Sequence, residues 1–247
     1  MRTDDALSRR LGIPVLRSGE VDSTNLRLKE AARAGALTPP CLLIAERQTM
    51  WRGRLGRSFL SPEGGLYMSL LLPQTRRPVT VLAAVAVCEA IEELTGPEPK
   101  IKWVNDLFLR GRKVCGILAE GLESAIVLGI GVNLKTPECG FPGVPVAGAL
   151  ETDVPPDALA ACITERMLAL LAAPDDAAAL AAYRERMMLI GRDIRFSQDG
   201  QTKNARVLGV DDAGGLTVQM ENGARQTLRS GEVTLSSDQF LENRQPQ

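Results

Sequence analysis

The sequence predicts an α+β protein in which a mixed sheet flanked by helices is followed by a small all-β domain. Between residues 15 and 190, short apolar runs with strand character alternate with longer runs rich in alanine and leucine. After Gly191 the helical runs stop, and five short strands follow one another at Asp-Gly, Gly-Gly and Asn-Gly turns. About 45 residues of that pattern predict a barrel of the SH3-like kind. We therefore expect domains at 1–190 and 191–236, with a flexible tail at 237–247.

The elements of the first domain are read from periodicity and from helix start and stop signals. Residues 1–14 form a short polar segment, and Ser23 before an apolar run with Gly35 after it predicts a helix at 26–34. Buried strands are expected at 42–46 and 66–72, and an alanine-rich helix at 79–94. Turn pairs then predict a meander of four strands, at 100–104, 107–110, 113–121 and 125–134. A Pro/Gly-rich stretch at 137–156 is expected to be irregular, and two runs rich in alanine and leucine predict helices at 157–172 and 175–190.

Composition excludes several classes of protein. The formal net charge is −1, so no polycationic field attracts nucleic acid. No run of about 18 apolar residues predicts a membrane span, and the N-terminus lacks the apolar core of a secretory signal. Five scattered cysteines without a CxxC pair fit reduced thiols in a cytoplasm. The chain has no histidine, which excludes a Ser-His-Asp arrangement and points to electrostatic catalysis.

An arginine- and glycine-rich segment is the most informative stretch. Three arginines and two glycines occupy residues 52–57, between two apolar runs. The guanidinium group offers a rigid fork of donors to carboxylate or phosphate oxygens, and glycine lets the backbone approach a ligand. The segment predicts an anion cradle, although similar clusters occur in exposed turns.

Three further segments carry polar groups that could be either structural or functional. Ser23, Thr24 and Asn25 start a helix, where Ser23 could be a simple N-cap or where all three, with Gln48, could face a polar ring. Lys102 could point to solvent from its strand, or bind a phosphate or carboxylate. Asn105 and Asp106, which follow Lys102, either form a simple turn or orient a nucleotide and its Mg²⁺.

Glycines alternate along the last strand of the meander. Gly129 and Gly131 precede Asn133. Glycine weakens a strand and often marks close approach by a ligand, although packing of a helix on the sheet would also explain it.

Taken in order, these segments resemble the bacterial biotin protein ligases. The resemblance covers nearly the whole chain, because the final strands also resemble that family's C-terminal domain. The motifs are STN at 23–25, Q(x)₃RGRxGR at 48–57, GGLYMSLLL at 64–72, KWxND at 102–106, KVxGIL(x)E at 113–120, GIGVNL at 129–134 and SGEVTL at 230–235.

The resemblance implies a fold of the class II synthetase-like biotin/lipoate ligase kind and a two-step reaction. Biotin and ATP would give biotinyl-5′-AMP, and biotin would pass to one lysine of a biotin carboxyl carrier protein domain, as in acetyl-CoA carboxylase. Mg²⁺ would enter with ATP rather than occupy a fixed protein site. Arg54 and Lys102 would be catalytic. Biotin would contact Ser23, Thr24, Asn25, Gln48, Arg52, Gly53, Arg54, Lys102 and Gly116, and the nucleotide would contact Arg52, Arg54, Arg57, Lys102, Asn105 and Asn133.

Two positions depart from the family pattern. Trp51 replaces the first glycine of the loop, where it would strain the backbone if that position needs positive φ, or else pack over the ligand or restructure the loop. Val104 replaces a proline and removes no polar group, so we expect little effect there. About twenty residues precede Ser23, too few for the winged helix-turn-helix of some members, so we expect a ligase without DNA binding. The sequence leaves open whether the protein forms a homodimer through the central sheet.

Two rival readings come with the resemblance. A lipoate- or octanoate-handling relative would share the catalytic fold, and Cys115 could carry an acyl group, although its apolar run favours an inert thiol. A non-catalytic biotin-binding module is the second rival, suggested by Trp51. Near-neutral charge and few aromatic residues argue against an RNA-binding protein.

Overall fold

A computed structural model describes residues 1–50, 61, 63–198, 200–231 and 233–235. The helices are α1 (Asp5–Leu11), α2 (Thr24–Arg33), α3 (Val79–Thr95), α4 (Pro156–Ala172) and α5 (Ala177–Arg186). The strands of the first domain are β1 (Arg2–Thr3), β2 (Val15–Val21), β3 (Cys41–Gln48), β4 (Leu66–Pro73), β5 (Lys100–Lys102), β6 (Asp106–Leu109), β7 (Arg112–Gly121) and β8 (Ala125–Val132). The strands of the second domain are β9 (Asp193–Gln198), β10 (Gln201–Val210), β11 (Leu216–Met220), β12 (Arg225–Leu228) and β13 (Val233–Leu235).

The first eight strands form one mixed sheet, as the sequence predicts. Their order is β1-β2-β3-β4-β8-β7-β6-β5, and the meander from β5 to β8 is antiparallel throughout. Only β2 and β3 run parallel among these pairs, and α2 connects them. Such a connection is needed because parallel neighbours cannot be joined by a tight turn.

The two faces of this sheet are covered unequally. On one face, α3 packs against α4 and α5, and its side chains from Val79 to Ile91 are almost all buried. This face contains most of the core, since alternate residues of β3, β4, β7 and β8 point into it. The other face carries a small apolar cluster beneath α2: Leu28, Cys41, Leu43, Leu71, Ala125 and Val127.

The N-terminal region holds elements that the sequence pattern does not predict. Asp4 caps α1, because its carboxylate accepts a hydrogen bond from the backbone N–H of Leu7 at 2.9 Å. This backbone donor lowers the pKa of the Asp4 carboxyl, and the Arg17 guanidinium lowers it further. β2 is a strand although Arg17 to Glu20 are polar, since it is held between β1 and β3.

The second domain is a five-stranded antiparallel sheet of the SH3-like kind. Its order is β12-β11-β10-β9-β13, so the described pairings leave β12 and β13 at the edges instead of closing a barrel. It is docked on the first domain: the indole N–H of Trp103 donates to the carbonyl of Gly214 at 2.9 Å, and Arg184 donates to the carbonyl of Val210 at 2.9 Å. The cores of the two domains are continuous. Within the described ranges, no helix is both long and apolar enough to span a bilayer.

Candidate functional site

A hydrogen-bonded cluster forms where α2 begins. Ser23 is the N-cap, since its hydroxyl accepts from the backbone N–H of Leu26 at 3.4 Å. The side-chain carbonyl of Gln48 accepts from the Thr24 backbone N–H at 2.8 Å and lies 3.0 Å from the Thr24 hydroxyl. The Gln48 amide then donates to the Ser61 hydroxyl at 3.0 Å. The sequence-predicted group of Ser23, Thr24, Asn25 and Gln48 is therefore assembled at one place.

Asn25 extends this cluster over the sheet. The Ser69 hydroxyl lies 2.6 Å from the Asn25 side-chain carbonyl and 2.7 Å from the Thr24 hydroxyl. Ser69 is fully buried, and Thr24 and Asn25 are 3% and 5% exposed. Gly129 makes the fit possible, because a Cβ there would lie only 2.4 Å from the Asn25 carbonyl oxygen. Close approach of another group therefore explains this strand glycine.

A partly buried ion pair holds the far side of Asn25. The Asn25 amide nitrogen donates to Glu120 at 2.8 Å and to the carbonyl of Leu118 at 3.3 Å. Glu120 in turn pairs with Lys29 at 2.5 Å, with side-chain exposures of 32% and 12%. Lys29 comes from the second turn of α2 and Glu120 from the end of β7.

The sheet register brings three glycines together on the face of the sheet that carries this cluster, and we call this region the strip. Directly opposed residues of antiparallel strands share a face, as do residues two apart along one strand. One row across the sheet runs through Lys102, Asp106, Gly116, Gly131 and Tyr67, and a second row, two residues along, runs through Leu118, Gly129 and Ser69. Gly116 and Gly131 thus leave bare backbone between Lys102 at one end and the cluster around Ser69 at the other, where Asn25 covers Gly129.

Lys102 lies at the far end of this strip. It is partly buried on β5 and pairs in register with Asp106 of β6. The Asp106 carboxylate forms a salt bridge with Lys113 at 2.7 Å. Three strands separate β5 from β4, which puts the backbones of Lys102 and Ser69 roughly 19 Å apart at about 4.8 Å per strand spacing. The space suits an elongated ligand with a polar head and an anionic tail.

Asn105 and Asn133 are both predicted to face a nucleotide. In the structure the side-chain amide nitrogen of each donates a hydrogen bond to a backbone carbonyl. Asn105 donates to the carbonyl of Ile117 at 2.7 Å, and Asn133 donates to the carbonyl of Gly148 at 2.8 Å. The Asn133 side-chain carbonyl is buried and has no hydrogen-bond partner in the described part of the chain. A buried acceptor without a partner is costly unless a bound group supplies a donor.

The arginine-rich segment lies outside the described residues, and so do the predictions made for Trp51, Arg52, Gly53, Arg54 and Arg57. The chain on either side of that segment is described. The Met50 backbone N–H donates to the Asp22 carbonyl at 2.8 Å, and the Gln48 backbone N–H donates to the Ser61 carbonyl at 3.4 Å. Both ends of the segment therefore join the chain at the cluster around Thr24.

Cys115 does not face the strip. Its register partner on β8 is Val132, and it belongs to the core beneath α3. Burial raises the pKa of the Cys115 thiol well above its ordinary value. A protonated thiol on the opposite face of the sheet is a poor nucleophile, which argues against the acyl-carrier reading.

Ser69, Glu120 and Lys29 join this cluster, although the sequence analysis does not select them as candidates. Ser69 stood within the quoted GGLYMSLLL motif, where a serine inside an otherwise apolar strand is a usable signal. Nothing in the sequence marks Lys29 as part of a site, since a lysine on a helix is usually exposed to solvent. Its role depends on Glu120, which is distant in sequence and brought near by the sheet.

Comparison with known proteins identifies the family. Residues 19–136 match the Biotin/lipoate A/B protein ligase family, and residues 189–236 match the Biotin protein ligase C terminal domain. Together the two matches cover more than half of the chain. The chain belongs to the biotin protein ligase family. The predicted resemblance is confirmed, and so is the predicted fold of a ligase domain with an SH3-like domain after it.

Curated members of the biotin protein ligase family match over part of their lengths. The bifunctional ligase/repressor BirA of Bacillus subtilis is 41% identical over 112 residues, which are 41% of this chain and 34% of that protein. The biotin–[acetyl-CoA-carboxylase] ligase of Paracoccus denitrificans is 36% identical over 147 residues, which are 55% of this chain and 58% of that protein. The chain thus spans between about a third and three fifths of these curated relatives.

Solved biotin protein ligases match nearly end to end. The enzyme from Aquifex aeolicus in complex with biotin and ATP superposes with a TM-score of 0.77 and 28% identity, covering 90% of this chain and 98% of that one. The ligase from Leishmania major in complex with biotinyl-5-AMP superposes with a TM-score of 0.63 at 21% identity, which shows the fold alone.

Proposed function

We propose that this protein activates biotin with ATP to form biotinyl-5′-AMP and pyrophosphate, and then transfers biotin to a lysine of a biotin carboxyl carrier domain. The observation that carries the proposal is the strip of bare backbone with a polar cluster at one end and Lys102 at the other. Biotin has the matching form, with a ureido ring at one end and a carboxylate at the other. Membership of the family and the likeness to a ligase that binds biotin and ATP support the same reading.

The polar cluster would bind the ureido ring. Thr24, Asn25, Gln48 and Ser23 supply hydroxyl and amide groups, and the buried position of Thr24 and Asn25 strengthens each hydrogen bond they make. The valeryl chain would lie along the strip, where Gly116 allows it to approach the backbone. A ligand without polar atoms at its head would leave these groups unpaired, which disfavours it.

Fixed positive charge would supply the chemistry of the first step. When the biotin carboxylate attacks the α-phosphorus, two anions approach each other and charge grows on the phosphoryl oxygens. Lys102 would neutralise that charge near the carboxylate, and Arg52, Arg54 and Arg57 would add guanidinium groups over the adenylate. No histidine base is needed, because a carboxylate is already an ionised nucleophile.

The nucleotide would lie toward Asn133, whose buried carbonyl oxygen is available to accept a hydrogen bond. Asn105 would support the nucleotide site indirectly, since its amide donates to the Ile117 carbonyl and holds the backbone of β7. The described residues contain no group of three or more side chains fit to hold a metal. Mg²⁺ would enter with ATP, bound mainly by phosphate oxygens and water as is usual for this ion, and would offset phosphate charge.

The second step requires a protein partner. A lysine amine of the carrier domain would attack the mixed anhydride and release AMP. Such an acceptor belongs to the acetyl-CoA carboxylase type, as the name of the Paracoccus denitrificans relative indicates for that protein. The five cysteines are unpaired thiols, four of them buried, which fits the reducing conditions of a cytoplasm.

Transfer to a carrier tests the complete reaction. The purified protein is incubated with biotin, ATP, Mg²⁺ and a carrier domain of acetyl-CoA carboxylase, and the product is detected with streptavidin and by intact mass. We expect biotin on the wild-type carrier and none on a carrier whose target lysine is replaced by arginine. Binding of biotin without any labelled carrier or adenylate would instead favour the non-catalytic module, and labelling by lipoate or octanoate would favour the second rival.

A further inference from the structure

We propose that Glu120, held in place by Lys29, is a positioning residue that sets the direction of the hydrogen bonds in the polar cluster. It does so by fixing the orientation of the Asn25 amide. The cluster then accepts N–H donors from a ligand. This inference rests on the proposed binding of biotin and names the contact that would distinguish biotin from other acids.

The orientation of the Asn25 amide follows from its neighbours. The nitrogen faces two acceptors, the Glu120 carboxylate at 2.8 Å and the Leu118 carbonyl at 3.3 Å. Turning the amide would place its carbonyl oxygen against both, which is repulsive. Lys29 lies 2.5 Å from the carboxylate and holds it in place beside the amide.

The fixed amide determines where the hydroxyl protons go. The Asn25 carbonyl can only accept, so the Ser69 hydroxyl must donate its one proton there, at 2.6 Å. The 2.7 Å contact between Ser69 and Thr24 then needs the Thr24 proton. The 3.0 Å contact between the Thr24 hydroxyl and the Gln48 carbonyl is left without one. Three short oxygen contacts share two protons.

The reversed amide would remove this shortage. With its nitrogen toward Ser69, the Asn25 amide would donate to Ser69, Ser69 to Thr24, and Thr24 to Gln48, so every contact would hold a proton. Glu120 prevents that arrangement and keeps the hydroxyl chain one proton short. In this arrangement the Thr24 oxygen receives no proton from Ser69, so it can accept a hydrogen bond from a ligand N–H. The ureido ring carries two such groups, whereas an acyl chain or a dithiolane ring carries none.

Calorimetric titration with biotin in the absence of ATP tests the proposal. For Glu120→Ala we expect the Kd for biotin to rise about 10- to 100-fold, as for loss of a charge-assisted hydrogen bond. The Kd for ATP should stay the same, because the change is confined to the polar head of the site. Glu120→Gln keeps an acceptor oxygen and should recover part of the affinity. Glu123→Ala is the matched control, since Glu123 is an exposed carboxylate three residues away.

A double-mutant cycle separates positioning from a general structural effect. In an Asn25→Ala background, Glu120→Ala should cause no further loss of biotin affinity, because its target is gone. An equal loss in both backgrounds, or unchanged affinity in Glu120→Ala, would overturn the proposal. If Glu120→Ala does not fold, Lys29→Met carries the test, with a smaller loss expected in the same direction. Failure of the wild type to bind biotin would instead refute the proposed function.

Discussion

At the scale of single residues, the site depends on matched shapes rather than on any unusual side chain. Asn25 occupies the space that a Cβ on Gly129 would fill, and Ser69 lies beside both on β4. The three groups come from different elements, so each one constrains the other two. A small change at any of them should reach the ligand.

Gly129→Ala is the sharpest test of this packing. A methyl group 2.4 Å from the Asn25 carbonyl oxygen forces the amide out of place, so we expect biotin affinity to fall by at least tenfold, equivalent to about 1.4 kcal/mol. Gly121→Ala is the control, because a Cβ at Gly121 meets nothing within 4 Å. Equal biotin affinity in the two variants, measured by calorimetry, would contradict the account.

Arg54→Gly tests the role assigned to the arginine-rich segment. Loss of a charge-stabilising donor should slow adenylation by about 10²–10³-fold. The adenylate that does form should escape, since a loop that covers an intermediate also retains it. The measurement is the fraction of biotinyl-5′-AMP found in the filtrate after ultrafiltration. Complete retention with the protein would count against the loop assignment.

At the scale of elements, the sequence predicts the helices and the meander better than the N-terminal region. α3 was recognised because seventeen residues of mostly apolar side chains leave few alternatives. β2 was missed because Arg17 and Glu20 hide its strand character, and only pairing with β1 and β3 makes it a strand. The predicted helix 175–190 ends at Arg186, since Met187 is extended and Met188 donates to the carbonyl of Ile101.

The site was predictable to a similar degree. Ser23, Thr24, Asn25 and Gln48 are selected from the sequence because two hydroxyls and an amide occur together at a helix start within a motif that resembles the family. The link from Asn25 to Glu120 was not, since it joins residues 95 positions apart. Such contacts depend on strand register, which one sequence does not specify.

The connection between α4 and α5 provides a prediction at this scale. Arg77 donates to the carbonyls of Leu171, Ala173 and Asp175 and pairs with Asp176, so one side chain holds the whole turn. Arg77→Gln should lower the free energy of unfolding by about 2–4 kcal/mol, because two partly buried carbonyls and the partly buried Asp176 carboxylate lose their donor. Its exposed neighbour supplies the control, and Arg76→Gln should change the urea midpoint very little. Equal midpoints for the two variants would show that the turn does not need Arg77.

At the scale of the whole molecule, the two domains share one core, and their contact lies next to the site. Trp103, which follows Lys102, donates to Gly214 of the second domain, and a Cβ on Gly214 would lie 2.7 Å from the side chain of Val81. The second domain therefore supports the strand end on which Lys102 stands. This connection would give it a structural part in placing Lys102, to which the proposed first step assigns the neutralising charge.

Exchange of radioactive pyrophosphate into ATP is the most direct test of the central claim, that the strip binds biotin for adenylation. The assay contains Mg²⁺ and no carrier, and biotin is compared with lipoate and octanoate. We predict exchange that depends on biotin, and little or none with the other two acids. Equal exchange with all three acids, or no exchange with biotin although biotin binds, would contradict the account.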